Sequence, residues 1–271
     1  MLQRDPKSHK GQNGRVAIIG GSHRFHGAPI FSALAGEASG VDLMFPVVHR
    51  CHEGVTRGAS LNFIVHTFRE NSLTPPDAER ILLLLEHVDS CVIGPGMAET
   101  PENIAAIGRI VFGAHCPLIL DATALNPSVL RSLTKEHTVI LTPHRGELAR
   151  LVQKDLSSLA RKEVTALAEL VAGEHHAVVL LKGPEDFIVD VSGRTKTVKG
   201  GNAGLTKGGT GDALAGLIAG LIAQKMDPFD ACVLGTTIIK KTGEQLYKTK
   251  GYAYTTREVI AAIPPLLLEN S

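Results

Sequence analysis

The sequence predicts an α/β protein in which helices cover both faces of a mostly parallel β-sheet. Short apolar runs alternate with segments of helical periodicity along most of the 271 residues, which is the pattern of consecutive βα units. Several of these runs are followed directly by glycine, proline or polar residues, as buried parallel strands are at their carboxyl ends. No shift in composition divides the chain, so we expect residues 1–271 to form a single domain.

The predicted strands are short and apolar. The first is Arg15–Ile19. Residues 187–190 and 195–198 flank a Ser-Gly pair at 192–193 and predict a hairpin. Residues 51–74 are the least regular part, and we interpret them as a strand with mobile loops. The other predicted strands are residues 42–48, 62–66, 88–93, 117–120, 138–141 and 177–181.

The predicted helices carry apolar faces and recognisable ends. Thr100 provides an N-cap for a helix over residues 101–112, with Pro101 at its first position. A long helical stretch after residue 144 runs through Ala172, with Gly173 as its C-terminal stop. The other predicted helices are residues 29–38, 77–87, 126–133, 212–224, 228–247 and 256–263.

Five strand ends place glycine or polar residues at the expected carboxyl edge of the sheet. They are Gly20-Gly21-Ser22, Gly94-Pro95-Gly96, Asp121, Thr142-Pro143-His144 and Lys182-Gly183. The loop of residues 208–212 precedes a helix and is expected to face the same edge. Because ligands of such sheets bind beyond the carboxyl ends of the strands, this edge is the predicted active site.

The composition argues against nucleic acid and membranes as partners. Lys and Arg number 28 against 27 Asp and Glu, which leaves no charge excess for a phosphate backbone or an anionic lipid surface. Aromatic residues make up only 4%, with no Trp, so bases have little to stack on. No signal core or membrane-spanning run is evident, and we expect a cytoplasmic protein. The four cysteines lack metal-binding spacing and are expected to be reduced and structural.

The stretch over residues 200–211 reads GGNAGLTKGGTG and predicts an anion site. Six of its residues are glycines, which accept the positive φ values that let backbone amides converge on an anion. The helix that follows adds a partial positive charge. Asp212 begins that helix, and a carboxylate beside an anion is useful when it takes a proton from a reacting hydroxyl. We therefore predict a catalytic phosphate site, with helix capping by Asp212 as the structural alternative.

Two common nucleotide motifs are absent from the sequence. No GxxxxGK[ST] segment occurs, and neither Gly94-Pro95-Gly96 nor Gly209-Thr210-Gly211 continues into GxGxxG. Nucleotide binding therefore needs another geometry.

The segment Gly209-Thr210-Gly211-Asp212 resembles the anion-hole signature of the ribokinase-like superfamily, in which the aspartate of G-x-G-D is the general base. Further elements, in order, are similar to those of the NAD(P)H-hydrate dehydratase family, ADP- or ATP-dependent enzymes that repair hydrated NADH and NADPH. They are Gly20-Gly21-Ser22 with Gly27-Ala28-Pro29, Gly94-Pro95-Gly96, Asp121-Ala122 with Ala124-Leu125-Asn126, Thr142-Pro143-His144 with Glu147, Lys182-Gly183, and residues 208–212. The resemblance covers roughly residues 12–250 and implies a ribokinase-like three-layer α/β/α sandwich. The epimerase domain often fused on the N-terminal side is not expected here.

The resemblance implies roles for the matching residues. Asp212 would be the catalytic base, and Gly209 and Gly211 would belong to the anion hole. The hydrate would contact Ala28, Gly96, His144, Glu147 and Asp212. The adenine nucleotide would contact Lys182, Gly183, Pro184, Glu185, Asp186, Asn202, Gly204, Thr206, Lys207, Gly208 and Thr210.

Departures from the family pattern lie in the half that would bind the hydrate. Phe25 stands where members commonly carry Tyr, Ala98 where many have a glycine, and Thr123 where many have Asp. His23 and His26, in the first glycine loop, could contact a diphosphate or serve no function.

Several site candidates have a structural alternative. Lys182 could neutralise phosphate as a point cation or simply be solvated. His144 could contact substrate, cap the next helix or face solvent. Asp121 could bind a ligand or orient a loop, and the residues alone assign no role to Lys207.

The resemblance implies that Asp212 deprotonates the C6 hydroxyl of the hydrated nicotinamide, which then takes a phosphoryl group from ADP or ATP. Phosphate, a better leaving group than hydroxide, departs to restore NADH or NADPH. A Mg²⁺ ion on the nucleotide and a homotetramer are also expected.

Two alternative functions stay open: a ribokinase-like kinase for hydroxyethylthiazole or a pyrimidine alcohol, and a non-catalytic nucleotide-binding protein.

Overall fold

The computed structural model describes residues 4–69 and 72–270, which form a nine-stranded sheet with helices on both sides. The strands are β1 (Arg15–Ile19), β2 (Leu43–His49), β3 (His66–Phe68), β4 (Ser90–Ile93), β5 (Leu118–Leu120), β6 (Val139–Leu141), β7 (Val178–Leu181), β8 (Asp186–Val189) and β9 (Thr195–Val198). The helices are α1 (Gly27–Ala38), α2 (Glu53–Ala59), α3 (Pro75–Leu85), α4 (Pro101–Gly113), α5 (Pro127–Leu130), α6 (Arg145–Leu151), α7 (Arg161–His175), α8 (Thr210–Ala223), α9 (Pro228–Lys250), α10 (Thr256–Ala261) and α11 (Ile263–Asn270).

The strand order is β3-β2-β1-β4-β5-β6-β7-β8-β9. Neighbours from β3 to β7 pair in parallel, whereas β8 and β9 continue the sheet as the predicted antiparallel hairpin. The chain builds outward from β1 to β3 and then returns to place β4 on the other side of β1. This reversal is the topological switch point, where a crevice opens beyond the strand ends.

Alternate residues of the parallel strands bury against opposite helical layers. Val16 and Ile18 of β1 pack into the layer that contains α1 and α8 to α11. Ala17 and Ile19 pack into the layer that contains α3, α4 and α7. All four are fully buried, so the strand is apolar on both faces, as a covered parallel strand requires.

Helices α1 and α8 approach each other unusually closely because glycine lines their contact. A Cβ atom added at Gly216 would lie 1.9 Å from the carbonyl oxygen of Ser32. One added at Gly220 would lie 2.0 Å from Ser39 Oγ. The small residues of α8 therefore let the helix pack closely against both α1 and the sheet, with its N-terminus at the carboxyl edge.

The structure corrects the interpretation of residues 51–74. The predicted strand over residues 62–66 is wrong, because β3 is formed by His66–Phe68. Helix α2 was not predicted, because a seven-residue helix with two glycines is too short to show a periodic stripe. Residues 70 and 71, within the predicted loops, lie outside the described residues.

The predicted long helix ending at Ala172 is also wrong, because α6 and α7 are separate helices. The intervening residues 152–160 are largely polar, and the Asp155 carboxylate accepts a hydrogen bond from the amide two residues later, which favours a turn over a helix. Gly173 lies inside α7, which ends at His175, with His176 as its C-cap at φ 50°. Helix α11 was not predicted, because two consecutive prolines, at 264 and 265, indicated the end of a helix; in the structure they lie in the first turn of α11.

Three of the four cysteines are buried, and all four are free. Burial raises the pKa of Cys116 to about 12, so this thiol stays protonated and unreactive. Cys51 departs from the expectation of a buried structural cysteine, because it is exposed and its Sγ lies 2.8 Å from His49 Nδ1. No helix in the described part of the chain is long and apolar enough to cross a membrane.

Candidate active site

Backbone contacts join the first three predicted strand ends. The amide of Gly21 donates a hydrogen bond to the carbonyl oxygen of Pro95 at 2.7 Å. At Gly94, with φ 118°, an added Cβ atom would lie 2.0 Å from the carbonyl oxygen of Asp121. These positions therefore require glycine for close approach as well as for conformation. The loops after β1, β4 and β5 form one continuous surface at the switch point.

The strand ends after β5, β6 and β7 are joined by one side-chain and one backbone hydrogen bond. Thr142 Oγ1 donates to Asp121 Oδ1 at 2.8 Å, and the amide of Lys182 donates to the carbonyl oxygen of Pro143 at 2.8 Å. All five predicted strand ends thus meet at one edge, in agreement with the sequence analysis.

One ammonium and three carboxylates lie at this edge. Lys182 Nζ lies 2.7 Å from Asp121 Oδ1 and 3.7 Å from Glu147 Oε2. Burial alone would lower the pKa of Lys182, but the neighbouring charges of Asp121 and Glu147 outweigh it and raise that pKa. Lys182 is therefore cationic at neutral pH. Asp121 and Glu147 are only 2% and 6% exposed, so their pairing with Lys182 offsets the cost of burying charge.

Asp212, the third of these carboxylates, lies in the first turn of α8. Burial raises the pKa of Asp212 to about 7; the charges of Asp121 and Glu147 act in the same direction, and Lys182 opposes them. The N-cap of α8 is Gly209, so capping does not account for Asp212. A partly buried carboxylate that titrates near neutral pH suits a general base.

The loop before α8 uses its glycines for conformation and for close contact. Gly209 has φ 94°, and an added Cβ atom would lie 2.4 Å from Phe31 Cδ2. At Gly204 the added atom would lie 2.4 Å from Tyr254 Oη. An atom added at Gly211 would lie 3.5 Å from Lys182 Nζ, so the ammonium faces the beginning of α8. The arrangement combines a cation with the free amides of a helix N-terminus, as anion sites do.

A cavity of about 800 Å³ adjoins this loop. Most of the predicted nucleotide residues line it, namely Lys182, Gly183, Pro184, Asp186, Asn202, Thr206, Lys207 and Thr210. Three others do not. Glu185 forms ion pairs with Arg161 and Lys199, Gly204 is buried beneath Tyr254, and Gly208 is exposed.

His144 caps α6 and also lines the cavity. Its Nδ1 accepts hydrogen bonds from the amides of Gly146 and Glu147 at 3.0 and 3.2 Å. In return, Glu147 Oε2 accepts from the amide of His144 at 2.8 Å. The capping alternative for His144 is confirmed. The ring is half exposed and lies on the nucleotide side, while the capping bonds direct Glu147 toward Lys182.

The predicted hydrate residues Ala28 and Gly96 lie together at the switch point. A Cβ atom added at Gly96 would be 3.1 Å from Ala28 Cβ and 3.3 Å from Phe25 Cβ. Phe25, one of the departures from the family pattern, therefore contacts this half of the site directly. Thr123 is held by a 2.8 Å hydrogen bond from its Oγ1 to the carbonyl oxygen of Met97, and Ala98 accepts one through its backbone.

Sequence reasoning missed Lys240, which joins three segments of the cavity wall. Its Nζ donates to the carbonyl oxygens of Pro184 and Gly200 at 3.0 and 3.3 Å and lies 3.2 Å from Asp186 Oδ2. Asp186 Oδ1 in turn accepts from the amide of Gly183 at 2.6 Å. Lys240 is only 6% exposed. The sequence did contain one signal. Lys240 lies four residues after Thr236, so both fall on the same face of α9, which is the buried face.

Lys207, which had no assigned role, anchors the glycine loop. Its Nζ donates to the carbonyl oxygen of Tyr252 at 2.6 Å and lies 4.9 Å from the centre of the Tyr254 ring. Tyr254 Oη donates to Asn202 Oδ1 at 2.7 Å, and Asn202 Nδ2 donates to the carbonyl oxygen of Gly243 at 2.8 Å. These contacts fix residues 202–207 against the C-terminal helices.

Across residues 4–69 and 72–270, no group of three or more His, Cys, Asp or Glu side chains is arranged to hold a metal ion. The three carboxylates near Lys182 interact with its ammonium through their charges.

Comparisons with known proteins agree with this geometry. Residues 16–265 match the family model of NAD(P)H-hydrate dehydratase. The ADP-dependent (S)-NAD(P)H-hydrate dehydratase of Nitrosopumilus maritimus is 35% identical over 266 residues, which cover 97% of this chain and 92% of that protein. Other relatives are bifunctional NAD(P)H-hydrate repair enzymes, and the chain spans about half the length of these, for example 50% of the protein from Hyperthermus butylicus.

Solved structures support the same assignment. The ADP/ATP-dependent NAD(P)H-hydrate dehydratase of Bacillus subtilis, co-crystallised with ATP and Mg²⁺, superposes with a TM-score of 0.87 at 26% identity, covering 99% of this chain and 94% of that chain. A ribokinase-like superfamily protein of Enterococcus faecalis superposes with a TM-score of 0.85 at 25% identity, covering 99% and 92%. The predicted ribokinase-like α/β sandwich is thus confirmed, and the chain belongs to the NAD(P)H-hydrate dehydratase family.

Proposed function

We propose that this protein uses ADP or ATP to dehydrate the hydrate of NADH or NADPH and so regenerates the reduced dinucleotide. The observation that carries the proposal is the position of Asp212, a carboxylate of pKa about 7 at the start of the helix that follows the glycine loop. The similarity to the ADP-dependent (S)-NAD(P)H-hydrate dehydratase of Nitrosopumilus maritimus supports it.

The chemistry follows from this base. Asp212 accepts the proton of the C6 hydroxyl as the oxygen attacks the terminal phosphorus of the nucleotide, and the bond from that phosphorus to the bridging oxygen breaks. The C6–O bond then breaks, and phosphate leaves with the bonding electrons while the ring nitrogen supplies its lone pair. Loss of the C5 proton restores the dihydropyridine ring. Phosphorylation replaces hydroxide, a poor leaving group, by phosphate.

The neighbouring residues would bind and stabilise the reacting groups. The cavity beside residues 182–186 and 202–210 suits the nucleotide, with the terminal phosphate toward the amides near Gly209 and Gly211. Lys182 would balance the charge that develops on the phosphoryl oxygens, because its Nζ already faces this loop. Ala28 and Gly96 would contact the hydrated ring from the switch point. His144 and Glu147 would complete the wall between the two ligands.

We propose that Mg²⁺ enters with the nucleotide. The described residues do not form a protein cage for it, and Mg²⁺ usually keeps several waters and is shared with substrate phosphates. A homotetramer, which the family resemblance suggests, and a cytoplasmic location stay predictions, and light scattering of the purified protein tests the first.

One assay tests the proposed function. Purified protein is incubated with chemically hydrated NADH or NADPH, Mg²⁺ and either ADP or ATP, and the recovery of reduced-nicotinamide absorbance is followed together with phosphate release. We expect both signals to rise together and to require the nucleotide. Phosphorylation of an alcohol such as hydroxyethylthiazole without recovery of absorbance would favour a kinase. Nucleotide binding without any turnover would favour a binding protein.

A further inference from the structure

Two similar short segments lie at the carboxyl ends of β1 and β2. Residues 23–26 read His-Arg-Phe-His and residues 49–52 read His-Arg-Cys-His. Because β1 and β2 are parallel neighbours, their carboxyl ends place both segments at the same edge of the sheet. Among the roles considered above, only a diphosphate contact for His23 and His26 involves them.

The histidines at the two ends of one segment lie beside those of the other. The rings of His23 and His49 have centroids 5.9 Å apart, and those of His26 and His52 lie 5.3 Å apart. His52 Nε2 donates to the carbonyl oxygen of Ser22 at 2.9 Å, which ties the second segment to the first glycine loop. Four imidazoles are thus grouped at this edge, with the ring of His49 buried and those of His23 and His26 exposed.

The arginines give this surface a positive charge. Arg24 and Arg50 are both exposed, and neither forms an ion pair with a carboxylate of the described residues. The nearest acidic residue in the sequence, Glu53, is bound to Arg57 at 2.9 Å. The guanidinium of Arg24 lies 5.2 Å from the centre of the Phe25 ring. Phe25 in turn contacts Gly96, so the charge lies beside the half of the site proposed for the hydrate.

The chemistry of these residues favours an anion over a metal ion. In the part of the chain that the structure describes, the imidazoles and the Cys51 thiol do not form a group that could hold a metal. Guanidinium groups carry several donors in a planar fork that matches phosphate oxygens, and imidazole N–H groups can add further donors. The dinucleotide hydrate carries two phosphates in its diphosphate, and the hydrate of NADPH carries a third.

We propose that the segments 23–26 and 49–52 form a phosphate-binding site for the dinucleotide hydrate, with Arg24 and Arg50 as its principal ligands. The proposal rests on the proposed function for the identity of the substrate. Two sources of phosphate share this chemistry, the diphosphate of both hydrates and the 2′-phosphate of the NADPH hydrate alone.

The test compares Arg24→Ala, Arg50→Ala and the double variant with Arg131→Ala, an exposed arginine at the end of α5. NADH and NADPH serve as unreactive probes in calorimetric titrations, and KM is measured for both hydrates. Loss of one charge-assisted contact is expected to weaken binding by about 10-fold, and the double variant by more. An equal loss for both probes assigns the diphosphate, and a loss for NADPH alone assigns the 2′-phosphate.

The proposal is overturned if the double variant binds both probes and both hydrates as tightly as Arg131→Ala does, or if the wild type binds none of them. Unchanged thermal unfolding and unchanged ADP binding show that the variants are folded. The two proposals fail separately. Turnover of the hydrates with an unaffected KM in the double variant removes the phosphate site and leaves the activity. Probe binding that depends on the arginines, without turnover, removes the activity and leaves the site.

Discussion

The ammonium of Lys182 lies 2.7 Å from Asp121 Oδ1, although the strands that carry these residues are separated by β6 in the parallel sheet. Asp121 follows β5 and Lys182 follows β7, so their contact depends on the register of three strands. Since Asp121 also raises the pKa of Asp212, the pair links the sheet edge to the proposed base. Lys182 is therefore part of an electrostatic network, and the solvated alternative considered from the sequence does not describe it.

The first prediction concerns the pH dependence of the wild type. Asp212 must be deprotonated to act as a base, and its pKa is raised to about 7. Activity should therefore increase as the pH rises through about 7 and level off above it. Initial rates of hydrate dehydration between pH 5.5 and 9, at saturating nucleotide, measure this pH dependence. A rate that is constant across the interval would contradict the assignment of Asp212 as the titrating group.

Asp121→Asn should shift this rise in activity to lower pH. The substitution removes a negative charge that raises the pKa of Asp212 and leaves Lys182, which lowers it. The proton on Asp212 is then lost more easily, so the variant keeps a larger fraction of its own maximal rate at acid pH. Glu136→Gln, at an exposed position, is the matched control and should leave the profile unchanged. If activity rises at the same pH in Asp121→Asn as in the wild type, the charge of Asp121 does not affect the pKa of Asp212.

Asp212→Asn should abolish turnover and spare nucleotide binding. The amide cannot accept the hydroxyl proton, and loss of a general base typically costs about 10²–10⁴-fold in rate. Asp212 does not line the cavity, so ADP should bind about as it does to the wild type in a calorimetric titration. Dehydration at the wild-type rate would remove Asp212 as the base.

The sequence predicted the parts of the fold that depend on local pattern. Strands such as Arg15–Ile19 are continuous apolar runs, and Thr100 and Pro101 begin α4 as expected. The hairpin of β8 and β9 and the meeting of the strand ends also follow from short-range signals and from parallel topology.

The contacts that the sequence did not predict are made between distant segments. Lys240 reaches Pro184 and Gly200, which are 56 and 40 residues away, and no local pattern specifies that pairing. The histidines at 49 and 52 likewise approach the first glycine loop only because β2 lies beside β1.

Glycine at position 209 should be required, whereas glycine at 208 should not. Gly209→Ala forces a Cβ atom to within 2.4 Å of Phe31 and imposes a φ of 94° on alanine, which costs about 1–2 kcal/mol for the conformation alone. The amides that face the phosphate would shift, so kcat should fall along with the melting temperature. Gly208→Ala meets no atom within 4 Å and has no positive φ, so both measurements should stay near those of the wild type. Equal behaviour of the two variants would contradict this role for the loop.

Lys240→Met should raise the KM for ADP by about 10-fold and change kcat much less, because the lysine positions the cavity wall through hydrogen bonds to charged groups and lies away from the reacting atoms. It connects the turn after β7 with Gly200 and pairs with Asp186, so its loss also leaves a buried carboxylate unpaired. Lys240→Met combined with Asp186→Asn removes that charge and should recover part of the stability without restoring KM, since the bonds to the two carbonyl oxygens stay lost.

Lys241→Met is the matched control, because Lys241 contacts Asn270 in the C-terminal helix and does not line the cavity. Steady-state kinetics and thermal unfolding of the variants distinguish the cases: a fall in kcat with an unchanged KM, or a KM that recovers with stability, would show that Lys240 does not position the nucleotide.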